Sequence, residues 1–343
     1  MNRIDLPSVT RWITVATHEH GERLPVHLME RLSIGRRSAN ALLARLVAAQ
    51  WLTREGTPRR PVFRPGPLKQ VVQSYALAGL QEDLPWQRDF APHFSLAPNV
   101  ARIAQHAFSE LLNNAADHSG GSQVTVSMRQ TALHLQLLVS DDGCGLFGRI
   151  RQAFEIAEPA LAMLELSKGK LTSQPERHAG HGLFFTSRLA DVFDLHANEQ
   201  AFQYRGWEHR RWCAGKPMAR QGTSVYFAIA LDSARTLDEV LRAHAGAAGG
   251  YAFEATQVPL QLMTDARTGL ESRAQARRIA ARLQQFRRAE LDFSGVAELG
   301  HGFADELFRV FGRAQPGVEL FPVGMTPRVA AMVETVRAAA RTV

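Results

Sequence analysis

Cysteine is scarce: Cys144 and Cys213 are the only two in 343 residues. Two isolated thiols fit a reducing compartment and exclude a metal site built from cysteine alone. Long apolar runs are missing as well. None approaches the ~20 residues of a membrane-spanning helix. The N-terminus shows neither an apolar core segment nor a cleavage site for export. The expectation is a cytoplasmic protein with no membrane partner. With 45% hydrophobic residues, the chain can bury real cores. Its length suggests two or three domains at roughly 100–200 residues each.

Acidic residues run short in one stretch only. Residues 1–70 hold 12 Lys and Arg against 5 Asp and Glu, which accounts for the whole net charge of +7. The remainder holds 28 of each sign. A basic module on a neutral body points to a polyanion partner for that module. Within it, residues 8–17 read as a helix with Trp12, Ile13 and Val15 available for burial. Pro25 suits the first turn of a second helix, residues 26–32. Ser33-Ile34-Gly35 reads as a short turn with the glycine such turns often carry. A third helix, residues 36–50, places Leu42, Leu43, Leu46 and Val47 on one face. Residues 52–63 read as a hairpin around Gly56-Thr57-Pro58.

The run SIGRRSANALLARLVAAQWL resembles the turn, recognition helix and exit of winged helix-turn-helix DNA-binding domains, and the domain is placed at residues 1–66. The resemblance implies a DNA partner. Arg36, Arg37, Ser38 and Asn40 would open the helix that enters the major groove, with Arg45 further along it. Arg and Asn suit the edges of guanine and adenine. Arg59, Arg60 and Arg64 would meet phosphates. Winged helices that bind protein instead remain the alternative.

Residues 67–97 read as a connector, broken by Pro85 and Pro92. Then ARIAQHAFSELLNNAADHSGG repeats Ile103, Ala107, Leu111 and Ala115 at helical spacing. Glu110 and Asn114, four apart, share a face of this helix. An amide oxygen suits a hard cation such as magnesium, and a carboxylate can polarise an attacking water or hydroxyl. Two strands follow, residues 123–129 and 133–140, and the second runs into DDGCG. There Asp141, Gly143 and Gly145 form DxGxG. A carboxylate accepts the exocyclic N–H of adenine and repels the carbonyl of guanine. Glycines let a backbone approach a purine without a Cβ in the way. Residues 146–178 read as a longer polar segment containing SKGKLTSQPERH. AGHGLFFTSRLAD then brings Gly180 and Gly182 to the start of a helix, where backbone N–H groups suit phosphate. QGTSVYFAIA is a strand opening on Gly222-Thr223.

In this order the four pieces resemble the N-box, G1 box, G2 box and terminal GT motif of GHKL ATPases, the fold shared by gyrase B, histidine kinases and MutL. The resemblance implies a Bergerat-type α/β sandwich over residues 98–232 that binds ATP and Mg²⁺. It makes Asn114 the magnesium ligand and Glu110 the candidate base. Asp141 reads adenine, and Gly143 and Gly145 line the base. Gly180 and Gly182 hold phosphates, and Thr223 supports Asp141. His118, Lys168, Lys170, Arg177 and His181 are further candidates for phosphate contact, with a solvated loop as the alternative for the lysines. The ELLNNAADHS form looks nearer to anti-sigma serine kinases than to histidine kinases. No helical hairpin with a phosphoacceptor histidine precedes it, and neither His18 nor His106 has that setting.

After a linker at residues 233–249, strands and helices alternate through residues 250–343, which argues a small α/β sandwich. Helices are expected at 272–287, 302–311 and 327–341, and strands at TQVPLQLM, AELDFSGV and VELFPV. SRAQARRI, LDFSGV and GHGFADELFRVF resemble a STAS-like domain of unknown function. STAS domains are the usual substrates and partners of anti-sigma kinases, which implies a protein partner here. Their phosphoacceptor serine is absent: the corresponding turn reads Leu299-Gly300-His301-Gly302-Phe303.

The fold class is therefore multidomain α/β: winged helix, ATP-binding sandwich, STAS-like tail. The leading expectation is a DNA-binding regulator switched by ATP–Mg²⁺ binding or slow hydrolysis. The alternatives are an anti-sigma-type serine/threonine kinase acting on a separate protein, and an ATPase clamp whose winged helix binds protein. A second copy of the chain is a further candidate partner.

Overall fold

The computed structural model describes residues 4–172, 179–208, 212–246, 251–264 and 269–341. It divides into two compact units, Met1–Asp142 with Tyr226–Ala234, and Gly143–Val225 with Arg235–Val343. These units cut across the boundaries expected from sequence. The N-terminal module shares a unit with the first part of the segment at residues 98–232, and the C-terminal module shares one with the second.

The first unit begins with α1 (Leu6–Thr10), α2 (Ile13–His20), α3 (Leu24–Leu32) and α4 (Arg36–Ala48). Ile13, Leu24, Leu28, Leu42 and Leu46 bury together with Phe63 from the following hairpin. The turn between α3 and α4 differs from expectation in detail. Ser33 takes the left-handed conformation (φ 51), while Gly35 is an extended N-cap whose missing Cβ leaves open space. The glycine is not what makes that turn. The hairpin pairs β1 (Leu52–Thr57) with β2 (Arg60–Pro65), Thr57 opposite Arg60. Its turn is thus Pro58-Arg59, one step beyond the expected residues. Gly56 lies inside the strand at φ 78, where a Cβ would come within 2.5 Å of the Arg60 carbonyl.

The expected connector is largely structured. Residues Lys69–Ala76 form β3, which pairs antiparallel with β4 (Gln123–Gln130) over eight residue pairs. The prolines that broke the sequence pattern all lie after this strand. Pro85 ends α5 (Asp83–Pro85) and Pro92 lies in a 3₁₀ turn Ala91–His93, with a π turn Trp86–Phe90 between them. Trp86 and Phe90 pack on Phe108 of α6 (Pro98–His118), at 5.3 and 5.0 Å between ring centres. β5 (His134–Asp141) continues the antiparallel order β3-β4-β5.

Three contacts tie the N-terminal module to this sheet and to the turn at Ala91–His93. The Gln70 amide donates to the Thr14 hydroxyl at 3.0 Å. The Arg129 guanidinium lies 5.5 Å over the Trp51 ring. His18 meets His93 edge-on at 4.8 Å. Burial holds both histidines below the usual range. Lys69 adds to this for His18, and His18 does so for His93, against Glu19 and Asp89. A folded pKa below the unfolded ~6.5 means the native state binds fewer protons. The stability held in this contact is full above ~6.5 and falls as pH drops below it. Melting is therefore expected at lower temperature at pH ~5.5 than at pH ~7.5, and a His18→Gln/His93→Gln variant should show a smaller drop. An equal drop in that variant would remove the pair as its source.

In the second unit, the segment read as long and polar contains two helices, α7 (Leu146–Phe154) and α8 (Pro159–Lys168). Then come α9 (Gly182–Leu189), β6 (Val192–Ala197), β7 (Gln200–Arg205) and β8 (Trp212–Ala214). The strand order continues from the start of β9 (Thr223–Ala230) to β6, β7 and β8. Within the expected linker, α10 (Leu237–Ala243) is fixed by a capping box of Thr236 and Glu239, which satisfies two end N–H groups reciprocally.

The C-terminal module is a parallel three-stranded sheet, β10 (Ala255–Pro259), β11 (Arg288–Asp292) and β12 (Glu319–Val323), in that order. Its helices are α11 (Arg273–Ala280), α12 (His301–Ala304) running through a π segment into α13 (Gly312–Ala314), and α14 (Pro327–Arg341). α11 is shorter than expected. Arg282 turns left-handed (φ 65), so Leu283 and Phe286 are buried from a 3₁₀ turn and its exit, not from the helix.

Candidate nucleotide site

α6 starts on Pro98, whose missing N–H is free of cost in a first turn. Val100, Ile103, Ala104, Ala107, Phe108, Leu111, Leu112 and Ala115 form its buried stripe. Glu110, Asn114 and His118 follow at four-residue intervals on the flank of that stripe, all half-buried. Residues at this spacing neighbour one another along a helix. A carboxylate, an amide and an imidazole therefore line one row.

The two aspartates of DDGCG separate cleanly. Asp142 is exposed and accepts from the Ser122 and Gln123 amides (2.7 and 2.9 Å) and from the Ser122 hydroxyl. Those bonds pull its carboxyl down to about 2. It caps the start of β4. Asp141, the last residue of β5 and opposite Val124, is only 6% exposed.

In the second unit, Gly145 opens α7 at φ 79, and a Cβ there would collide with the Asn198 side chain. Asn198 accepts from the Gly148 amide and donates to the Cys144 carbonyl, both at 2.9 Å. It clamps the glycine turn from the two-residue β6–β7 loop, where Asn198 and Glu199 both have positive φ. The only sequence trace of this clamp is a turn-forming Asn between two strands. Thr223 accepts from the Leu146 amide at 3.0 Å, so the GT motif reaches the DxGxG turn. Gly143 is buried in the same turn.

Gly180 (φ 69) approaches Leu171 so closely that a Cβ would lie 2.7 Å from its backbone, and its carbonyl accepts the Lys170 amide. Gly182 begins α9. Glycines at a helix start leave unpaired N–H groups at the positive end of the dipole. His181 packs on Phe253, and burial followed by Lys170 holds its pKa down.

The two lysines correct the sequence expectation. Lys168 is fully buried, paired with Glu165 at 2.5 Å and donating to the Ala281 carbonyl at 2.9 Å. Burying an ammonium is tolerable only with such partners, and they leave it no phosphate to meet. Lys170 donates to the Gln285 carbonyl and lies 4.4 Å over Phe286. Both lysines face the C-terminal module. Arg177 lies outside the described residues.

A family model for histidine kinase-, DNA gyrase B- and HSP90-like ATPases matches residues 99–233. The chain carries a GHKL ATPase domain. A second family model, a STAS-like domain of unknown function, matches residues 275–328. No curated protein matches the chain. The GHKL domain implies nucleotide binding. A magnesium ion, usual in such domains, would fit the residues present. Mg²⁺ is held by one or two protein oxygens with phosphates and water, and Asn114 supplies such an oxygen. Among the described residues, no group of three or more His, Cys, Asp or Glu forms a separate metal site, and no helix is long and apolar enough to cross a membrane.

On the N-terminal module, Arg36, Arg37, Asn40 and Arg45 are exposed along α4, and Ser38 is half-buried beside them. Arg59 and Arg60 are exposed at the hairpin turn. Arg64 is exposed but engaged with Glu55 at 2.9 Å, and Arg45 reaches the Ile4 carbonyl.

Proposed function

We propose that the protein is an ATP-responsive DNA-binding regulator. The observation that carries this reading is the composition of the first unit. The basic N-terminal module, Glu110 and Asn114 of α6 and Asp141 of β5 belong to one compact body, joined through Thr14–Gln70, Trp51–Arg129 and His18–His93. ATP bound at Asp141 and Asn114 acts on the body that carries the DNA-reading helix. Magnesium held at Asn114 would neutralise phosphate charge, and Glu110, one helical turn earlier on α6, would take a proton from water. For the serine-kinase alternative, the turn of this chain's STAS-like domain that corresponds to the acceptor, Leu299-Gly300-His301-Gly302-Phe303, carries no hydroxyl.

DNA binding measured by anisotropy tests the reading. ATP is expected to change affinity by roughly 5–150-fold. Each phosphate contact contributes ~0.9 to the log–log salt slope, so losing Arg59 or Arg60 should weaken all sequences alike. Replacing Arg36 and Arg37 should relax sequence preference. Absence of binding at ~50 mM salt would make the module a protein-binding one. Binding that ignores ATP would leave two activities merely tethered.

A further inference from the structure

The pairs around Lys168 extend into a network that the GHKL motifs do not use. Glu165 is buried on α8 and holds two cations. Its Oε1 takes Lys168, and its Oε2 takes Arg282 of the C-terminal module at 3.0 Å. Arg282 also donates to the Lys170 carbonyl at 2.5 Å. Lys168 donates to the Ala281 carbonyl, and Thr256 of β10 donates its hydroxyl to the Lys168 carbonyl at 2.6 Å. On the other side of the helix end, Arg188 of α9 donates to the Ser167 carbonyl at 3.1 Å. Leu164, fully buried, belongs to the same core as Val258, Ile279 and Leu283. α8 is therefore packed as an element of the C-terminal module, although it precedes that module by about eighty residues.

Apolar residues would fill this place more cheaply than three charges. What a directional ionic network adds is register: only one position of α8 satisfies Glu165, Lys168, Arg282 and the Ala281 carbonyl together. From that fixed point the chain continues through Gly169 and Lys170. The Lys170 amide donates to the Gly180 carbonyl at 2.9 Å, and Gly182 begins α9 two residues later. Contiguous contacts thus run from Arg282 to the glycines of the G2 box, all within the second unit.

We propose that Glu165, Lys168 and Arg282 are positioning residues for the Gly180–Gly182 phosphate turn, so that the STAS-like module sets ATP affinity and in turn senses bound ATP. This rests on the ATP-binding reading. The coupling is specific to the phosphate end of the nucleotide, because the network ends at the glycine turn and not at the base-reading Asp141.

The test uses the full chain and the variant Glu165→Leu/Lys168→Met/Arg282→Met, which removes the charges together and leaves none unpaired. Affinities for ATP and for adenosine, which has no phosphates, are measured for both proteins. The expected result is ATP affinity weakened by roughly 5–150-fold with adenosine affinity unchanged. Unchanged ATP affinity, or equal losses for both ligands, overturns the proposal. A second arm uses the unmodified protein and stands even if the variant does not fold. Hydrogen exchange of the backbone at residues 281–285 is expected to slow when ATP is added, and unchanged exchange also overturns the proposal. If the unmodified protein binds no ATP, the ATP-binding reading itself falls, an outcome distinct from failed coupling.

Discussion

Glu110→Ala is expected to lower ATP turnover by ~10²–10⁴-fold, the usual contribution of a positioned general base. Nucleotide binding should survive, because the side chain lies one turn from Asn114 and makes no claim on the base. The alanine keeps the helix intact. Ala is the strongest helix former, and the buried stripe from Val100 to Ala115 does not include Glu110. Asn114→Ala separates the two roles: it should weaken the magnesium-dependent part of ATP binding. Phosphate release from the purified protein is the measurement. Turnover unaffected by Glu110→Ala would take the base role away from that residue.

ATP with Mg²⁺ is expected to raise the melting temperature clearly. Ligand at ~100 times its dissociation constant adds ~2.7 kcal/mol to the stability of the form that binds it. Asp141→Asn should abolish the rise. The amide keeps the shape but offers an N–H donor and a weaker acceptor where the adenine amino group needs a carboxylate. Asp142→Asn serves as the contrast. Its carboxyl is engaged by Ser122 and Gln123, so that variant should lose stability and keep the ATP response. A shift with GTP as large as with ATP would mean Asp141 does not read the base.

Much of this site is legible without coordinates because its signals are local. The 3.6-residue period of ARIAQHAFSELLNNAADH places Glu110 and Asn114 on one flank of a helix, and α6 covers that run. The alternation of Val124, Val126 and Met128 marks β4, whose buried residues are those three. The Gly180 and Gly182 spacing marks the start of α9. Within residues 67–97, read as a connector because of prolines further along, the short strand Lys69–Ala76 was hidden. Its partner β4 lies about fifty residues away, and only that pairing makes it a strand.

The order of the motifs, the charge of the first seventy residues and the helix carrying Glu110 and Asn114 were determined by the sequence itself, since each depends on neighbours within a few residues. Tertiary structure alone decided which aspartate of DDGCG is spent on capping, that Asn198 clamps the glycine turn, and that Lys168 is a buried structural cation. A lysine in SKGK has the same local pattern whether it meets a phosphate or a carboxylate. The choice was made where Ala281 and Arg282, more than a hundred residues further on, close over Lys168 and its helix neighbour Glu165, because an ammonium can be buried only with an anion and further acceptors in reach.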